Sequence, residues 1–183
     1  MTTPAPGMPS FASRPILPDV LQPGLALVFC GTAAGRRSAA EGAYYAHPGN
    51  LFWRALFASR LTPRLYAPAE FPQLPRLGLG LTDLVKHCAG NDAELPRDAY
   101  DVPALHAKIA AHAPRLLAFT SKAAARAALG RPADYGLQPE CMGATRLFVL
   151  PSPSGQARGH WNIQPWQALG ELVRQAGSVA IPR

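Results

Sequence analysis

The sequence is poor in the features that mark disulfide-rich, membrane and secreted proteins. Its 183 residues include only three cysteines, far apart at positions 30, 88 and 141 and without a C-x-x-C pair. This spacing argues against a disulfide framework and a structural zinc site, and we expect reduced thiols. The longest apolar runs, such as 25–30, fall well short of the roughly 20 residues in a membrane-spanning helix. The Pro-rich first residues lack the apolar centre of a secretory signal, and we expect a cytoplasmic protein.

Acidic residues are also scarce, because 11 Asp and Glu stand against 18 Lys and Arg, which gives a formal charge of +7. Such a balance attracts polyanions, nucleic acid first and anionic membrane second. Alternatively, a net positive charge of this size only keeps the protein soluble, so the charge does not by itself identify the partner. Charged residues make up 16% of the chain and hydrophobic residues 48%, which is enough apolar surface for a folded core.

Strand-like and helix-like segments alternate along the chain. This alternation predicts an α/β sandwich around a mostly parallel sheet. We assign residues 1–17 to a mobile, Pro-rich arm and residues 18–183 to a single domain. The predicted strands are 25–30, 77–83, 114–120 and 146–150, the predicted helices are 51–57, 103–112, 122–129 and 165–175, and the segment 32–50 is predicted to be a long loop.

The carboxyl ends of the strands are the expected place for a site, because ligands of parallel sheets bind there. Those ends are the loop at Gly31, the turn at Asp83, the helix cap at Ser121 and the loop 151–158. The segment 31–38 superficially resembles a phosphate-binding loop, but it lacks the Lys-Ser/Thr ending and the full G-x-G-x-x-G pattern. Its small residues still allow backbone amides to approach a ligand closely.

Two further loops carry side chains suited to nucleic acid. In the segment 44–50, the two tyrosines either belong to the core or stack on a base extracted from nucleic acid. In the segment 151–158, serine hydroxyls and a cation either hold phosphates or belong to an ordinary proline-stiffened turn. The histidines and cysteines lack the spacing of metal ligands, so we expect neither a metal nor another cofactor.

Four segments together resemble a known family. LVFCGTAAG, YYAHPGNLFWRAL, GLTDLV and LPSPSG occur in this order over about residues 20–175. These segments and their order resemble the motifs of the mismatch-specific uracil/thymine DNA glycosylases of the uracil-DNA glycosylase superfamily. The resemblance implies a three-layer α/β/α fold, a flipped base and metal-free hydrolysis of the N-glycosidic bond. It also implies uracil-containing or mismatched DNA as partner, a monomer, and no membrane association.

The resemblance implies base-binding roles for one group of residues. Tyr45 falls where the family places the aromatic ring that stacks on the flipped pyrimidine. His47 and Asn50 lie in the shared A-H-P-x-N-x-F-W segment, which helps to shape the base pocket. Gly31, Thr32 and Ala33 belong to the first motif, which borders the base.

A second group is implied to bind DNA. One member lies after the middle strand, and the others fall on or just after the family's N-P-S-G loop, in which Ser replaces Asn here. Gln156 stands where the family has an apolar wedge that enters the vacated stack. The DNA-binding residues implied are Lys122, Ser152, Ser154, Gly155, Gln156 and Arg158.

The first motif departs from the family. Its G-I-N-P-G becomes G-T-A-A-G here, so Ala33 stands at the place of the water-orienting Asn. An alanine methyl cannot hydrogen-bond water, and Asp83 is the best replacement. An ionised carboxylate at that strand end can orient water and stabilise positive charge on the sugar, while backbone amides of the Gly31 loop can stabilise the leaving base. The alternative is that Asp83 is a helix cap or turn residue.

Three functions follow from these residues. The first is a monofunctional DNA glycosylase of base excision repair that acts on uracil, with thymine and hypoxanthine as further candidates. Asp83 would then be the catalytic residue. The second is a catalytically silent protein that binds lesions or abasic sites, as Ala33 suggests. The third is an enzyme that uses the same crevice on free nucleosides or nucleobases.

Overall fold

The computed structural model describes residues 14–177, which contain one five-stranded sheet. The strands are β1 (Leu27–Ala34), β2 (Leu79–Ala89), β3 (Leu116–Phe119), β4 (Gly136–Met142) and β5 (Thr145–Val149). Their order is β2-β1-β3-β5-β4, and all neighbours are parallel except the edge strand β4, which is antiparallel to β5. The predicted α/β class with a mostly parallel sheet is confirmed.

Helices connect most of these strands. The α-helices are α1 (Arg36–Glu41), α2 (Phe52–Ala58), α3 (Val102–His112), α4 (Lys122–Leu129) and α5 (Gln164–Gln175). Short 3₁₀ segments occupy Pro68–Leu77, Asp92–Glu94, Arg97–Ala99 and Gly155–His160. Helix α4 begins and ends as predicted, because the Ser121 hydroxyl accepts from the Ala124 amide at 2.9 Å and Gly130 adopts the left-handed conformation that closes it.

The core lies on both faces of the sheet. Successive side chains of a strand point to opposite faces. Leu27 and Phe29 of β1 therefore pack in one apolar cluster, while Val28 and Cys30 pack in the other. The first cluster includes residues of α2 and α5, and the second includes residues of α3 and α4. The three-layer α/β/α arrangement follows, and the buried position of Cys30 in the core agrees with prediction.

Two strands run further than predicted. β1 continues to Ala34 instead of ending before Gly31, and β2 continues to Ala89 instead of ending near Asp83. The two strands extend together because their backbones pair in parallel, with Gly31 opposite Asp83. Backbone pairing does not need apolar side chains, so the end of an apolar run does not mark the end of a strand.

Two elements were missed. The segment 32–50 contains α1 and is therefore not a continuous loop, although α1 has only six residues and no apolar period. Strand β4 was missed because its sequence contains Pro139 and no apolar alternation. It is an edge strand, and its pairing is interrupted between Leu137 and Cys141, where a proline removes no ladder bond.

The end of the predicted arm lies on the sheet. The Ile16 amide donates to the Lys86 carbonyl at 2.8 Å, and Leu17 is buried in the core. Val20 forms an antiparallel bridge with Leu81 of β2. Residues 1–13 of the arm, like residues 178–183, lie outside the described residues. Within residues 14–177, no helix has the length and apolar character to cross a bilayer.

Candidate active-site crevice

A crevice of about 870 Å³ opens beside the carboxyl ends of β1, β3 and β5 and the second half of β2. It is the place that the sequence predicts, and it brings most of the predicted site residues together. Arg158 is the exception, because its guanidinium lies against Gly49 of the neighbouring loop. The predicted residues that line the crevice are Gly31, Thr32, Ala33, Tyr45, His47, Asn50, Asp83, Lys122, Ser152, Ser154, Gly155 and Gln156.

Three polar side chains converge on the backbone of Gly31 at the floor of the crevice. A Cβ atom at Gly31 would lie 2.5 Å from Asp83 Oδ1, 3.3 Å from the Tyr45 hydroxyl and 3.6 Å from Thr120 Oγ1. The first distance is well below van der Waals contact, so only glycine leaves this space open. The floor is therefore a small polar recess bounded by a carboxyl and two hydroxyl groups.

Asp83 is a strand residue and neither a helix cap nor a turn residue, which corrects the predicted turn. Its side chain borders the crevice, although the residue is only 5% exposed. Burial raises the pKa of Asp83 to about 7, while Lys86 and Lys108 lower it and Asp19 raises it. The carboxyl group therefore changes charge near neutral pH. Such a perturbed group in a crevice is typical of a functional site.

A charged cluster lies behind Asp83. One Asp19 oxygen lies 2.7 Å from Lys86 Nζ, and the other lies 2.7 Å from Lys108 Nζ. The Thr82 hydroxyl also donates to Asp19 at 2.7 Å. Burial alone would raise the pKa of Asp19, but these hydrogen bonds outweigh burial and hold it below its usual value. The cluster fastens the segment before β1 to β2 and α3.

Tyr45 presents a ring to the crevice in a strained backbone conformation. Its ring stacks on Phe52 at 3.9 Å between centroids, and its hydroxyl lies 3.3 Å from Thr120 Oγ1. Its φ of 52° is in the left-handed region, which a bulky side chain rarely adopts. Such strain, of about 1–3 kcal/mol, occurs mainly at functional sites. Burial raises the pKa of its hydroxyl, so the group stays protonated and able to donate.

The adjacent Tyr44 belongs to the core. It is 2% exposed, its hydroxyl donates to the Pro18 carbonyl at 3.2 Å, and Lys86 Nζ donates to the same hydroxyl at 3.2 Å. Of the two roles expected for the tyrosines, packing in the core applies to Tyr44, and a ring available for stacking applies to Tyr45. Tyr44 supports the wall, and Tyr45 faces the crevice.

The two flanking loops hold each other in place. The His47 Nδ1 atom accepts from the Gly49 amide at 3.0 Å, and Asn50 Oδ1 accepts from the Phe52 amide at 2.9 Å at the start of α2. The Leu51 amide donates to the Pro153 carbonyl of the second loop at 2.8 Å. These bonds make His47 and Asn50 parts of the frame of the crevice.

Serine hydroxyls stabilise the second loop from within. Ser152 Oγ accepts from the Ser154 amide at 3.3 Å, and Ser154 Oγ accepts from the Gln156 amide at 3.4 Å. An accepting hydroxyl still has its own proton to donate. Gln156 itself is exposed at the rim.

Sequence reasoning missed three features of the crevice. Thr120 follows β3 directly, and a polar residue at the carboxyl end of a strand was a signal for it. Tyr135 lies at the rim with its ring 4.6 Å from Lys122 Nζ. On another side, an exposed ion pair of 2.8 Å joins Arg36 of α1 to Glu94. Tyr135 and this ion pair are brought to the crevice by distant segments, which no local pattern reveals.

Comparison with known proteins agrees with this architecture. The profile of the uracil DNA glycosylase superfamily matches residues 18–170. The fold is similar to the solution NMR structure of a "putative Uracil DNA glycosylase" from Methanosarcina acetivorans, with a TM-score of 0.62 and 22% sequence identity. The match covers 88% of this chain and 98% of that one. The chain therefore belongs to the uracil DNA glycosylase superfamily.

Proposed function

We propose that the protein is a monofunctional DNA glycosylase that releases uracil from DNA, with thymine and hypoxanthine as further candidate bases. The observation that carries this proposal is the convergence of Asp83 and Tyr45 on the open backbone of Gly31. An aromatic face at this recess can stack on a flipped base, and the carboxyl group beside it can activate water. Superfamily membership supports the same reaction class.

The proposed reaction is hydrolysis. The flipped base lies on the open side of the Tyr45 ring, whose other face is covered by Phe52. The C1′–N bond breaks and its electron pair leaves with the base, which takes a proton from solvent. Water bonds to C1′ and gives a proton to the ionised Asp83 carboxylate, which also stabilises positive charge on the sugar.

Ala33 explains why the carboxylate is needed. This residue is part of the crevice wall, and its methyl group cannot orient water. Asp83 is paired with Gly31 in the next strand and therefore reaches the same recess. We propose on this basis a mismatch-type enzyme in which the water-orienting function lies on β2 instead of on the first motif.

Base release from matched oligonucleotides tests the proposal. Uracil, thymine and hypoxanthine are placed singly in otherwise identical strands, and alkali then breaks the strand at each abasic product. We expect breakage at uracil with wild type and none with Asp83→Ala, whereas the exposed control Asp98→Asn behaves like wild type. A wild-type protein that breaks none of these strands would refute the proposal.

The second candidate function is silent binding of lesions or abasic sites, which Ala33 favours. A mobility-shift experiment on the same strands distinguishes it. Binding of wild type and of Asp83→Ala with equal affinity, without any base release, would establish this second function instead.

A further inference from the structure

We propose that Tyr135 and Lys122 form a second nucleobase site at the rim of the crevice, where an unpaired base next to the excised base stacks. This inference rests on the proposed function. It assigns single-stranded or locally opened DNA as the preferred substrate. The occupant is the neighbouring nucleotide of the same strand.

The position of Tyr135 is the first observation. It lies between α4 and β4, is 39% exposed, and borders the crevice. It also borders an adjoining cavity of about 510 Å³, formed by residues 131–140. The ring therefore borders two neighbouring hollows. In the proposed complex, the strand that leaves the crevice on this side passes over the ring.

The chemistry of the pair is the second observation. Lys122 Nζ lies 4.6 Å from the ring centroid of Tyr135 and 3.2 Å from Asp134 Oδ1. The Asp134 side chain is fully exposed, so this ion pair is weak and a phosphate can replace the carboxylate. Because Lys122 lies over one face of the ring, the other face is the one that stacks on a base, while the ammonium group contacts a phosphate.

The contrast with the other crevice tyrosine is the third observation. Tyr45 is fixed by stacking on Phe52 and by its hydroxyl contact with Thr120. Tyr135 instead is 39% exposed, at a charged rim where Lys122 covers one ring face. An aromatic ring stacks only on a base whose face is open, and paired bases inside a duplex are covered by their neighbours. The site therefore selects unpaired bases.

Binding to chemically matched single strands tests this inference. Each strand contains one 2′-fluoro-2′-deoxyuridine, whose electron-withdrawing fluorine slows cleavage by opposing positive charge on the sugar. The flanking nucleotide on either side is a thymidine or a tetrahydrofuran spacer without a base. The proteins compared are wild type, Tyr135→Leu, Tyr135→Phe and the control Phe57→Leu, whose exposed aromatic side chain lies outside the crevice.

We expect wild type to bind the strand with a base on one flank about tenfold more tightly than its spacer counterpart. Tyr135→Leu removes this preference without changing affinity for the spacer strand, while Tyr135→Phe and Phe57→Leu preserve it. Equal loss of affinity for both strands in Tyr135→Leu, or an undiminished preference, would overturn the inference.

Uracil release from unmodified strands is measured in parallel and separates the two proposals. If wild type releases uracil and Tyr135→Leu keeps the preference for a flanking base, the rim site is refuted and the glycosylase proposal is not. Absence of release refutes the glycosylase proposal, while the binding comparison still decides on Tyr135. Absence of any wild-type binding to these strands would overturn the rim site, while uracil release still decides on the glycosylase proposal.

Discussion

At the scale of single residues, the environment of Asp83 determines both activity and stability. Its carboxyl group is buried and borders Gly31, with a pKa raised to about 7 from an ordinary value of 3.8. Between these values the folded chain holds a proton that the unfolded chain has lost. The free energy of unfolding therefore decreases as pH rises across this range. The burial of Asp83 therefore lowers stability, and it also places a carboxylate where water must be activated.

The rate of base release is expected to rise with pH through about 7, because only ionised Asp83 accepts a proton from water. Single-turnover rates on a uracil-containing strand from about pH 5 to about pH 9 measure this rise in rate. The control is DNA affinity at each pH, which separates chemistry from binding. A flat profile across this range with unchanged affinity would contradict the assignment of Asp83 as the base.

Gly31 and Gly35 of the first motif provide a matched pair of substitutions. Gly31→Ala places a Cβ 2.5 Å from Asp83 Oδ1, whereas a Cβ at Gly35 meets no atom within 4 Å. We expect Gly31→Ala to abolish base release and to lower the free energy of unfolding by about 1–3 kcal/mol. Gly35→Ala retains activity, with stability within about 0.5 kcal/mol of wild type. Denaturant unfolding and strand breakage measure both, and an active Gly31→Ala would show that the recess is not used.

At the scale of elements, the crevice combines residues of β1 and β2 with loops that follow α1, β3 and β5. The loop before α2 and the loop after β5 are joined by the Leu51 to Pro153 hydrogen bond, and a Cβ at Gly155 would lie 3.3 Å from the Gly49 carbonyl. The two loops therefore fit closely and act as one rim. This rim carries Gln156 at its exposed tip.

Replacing Gln156 tests what this tip does. Gln156→Leu introduces the apolar wedge that the resemblance implies at this position. An apolar side chain inserts between bases more readily than an amide. We expect tighter binding of mismatched duplex, with single-strand binding unchanged. Mobility shifts on a mismatched and a matched duplex measure the difference. Unchanged binding to the mismatched duplex would show that the tip does not enter the stack.

Much of the element order was predictable from sequence. Apolar runs with intervening helical spacing predicted four of the five strands, because these strands are buried on both faces. The pattern did not reveal β4, whose edge position demands little burial, or α1, which is too short to show a period. The extension of β2 past Asp83 depends on pairing with β1, which only the assembled sheet shows.

The candidate site was predictable to the extent that strand ends and motifs indicate it. The sequence indicates Asp83 because Ala33 lacks a polar group, and both residues border the crevice. Thr120 carries a weaker signal, as a polar residue at the end of β3, whereas Tyr135 comes from a segment without a motif and only the fold reveals it.

At the scale of the whole molecule, the formal charge of +7 is expected to act through phosphate contacts. Affinity for single-stranded DNA then falls as salt rises, with a logarithmic slope of about 0.7 for each phosphate contacted. Lys122→Gln should reduce this slope by about 0.7, because it removes one cation from the crevice rim. Arg76→Gln is the control, since Arg76 is exposed and lies outside the crevice. Equal slopes for wild type and Lys122→Gln would contradict a phosphate contact at Lys122.

The most direct measurement for the whole account is the single-turnover rate of uracil release by wild type and by Asp83→Asn, with DNA affinity measured beside it. The asparagine keeps the size of the side chain and removes its ability to accept a proton. We expect a loss of about 10²–10⁴-fold in rate with affinity retained. A variant that releases uracil at the wild-type rate would show that the Asp83 carboxylate does not perform the chemistry.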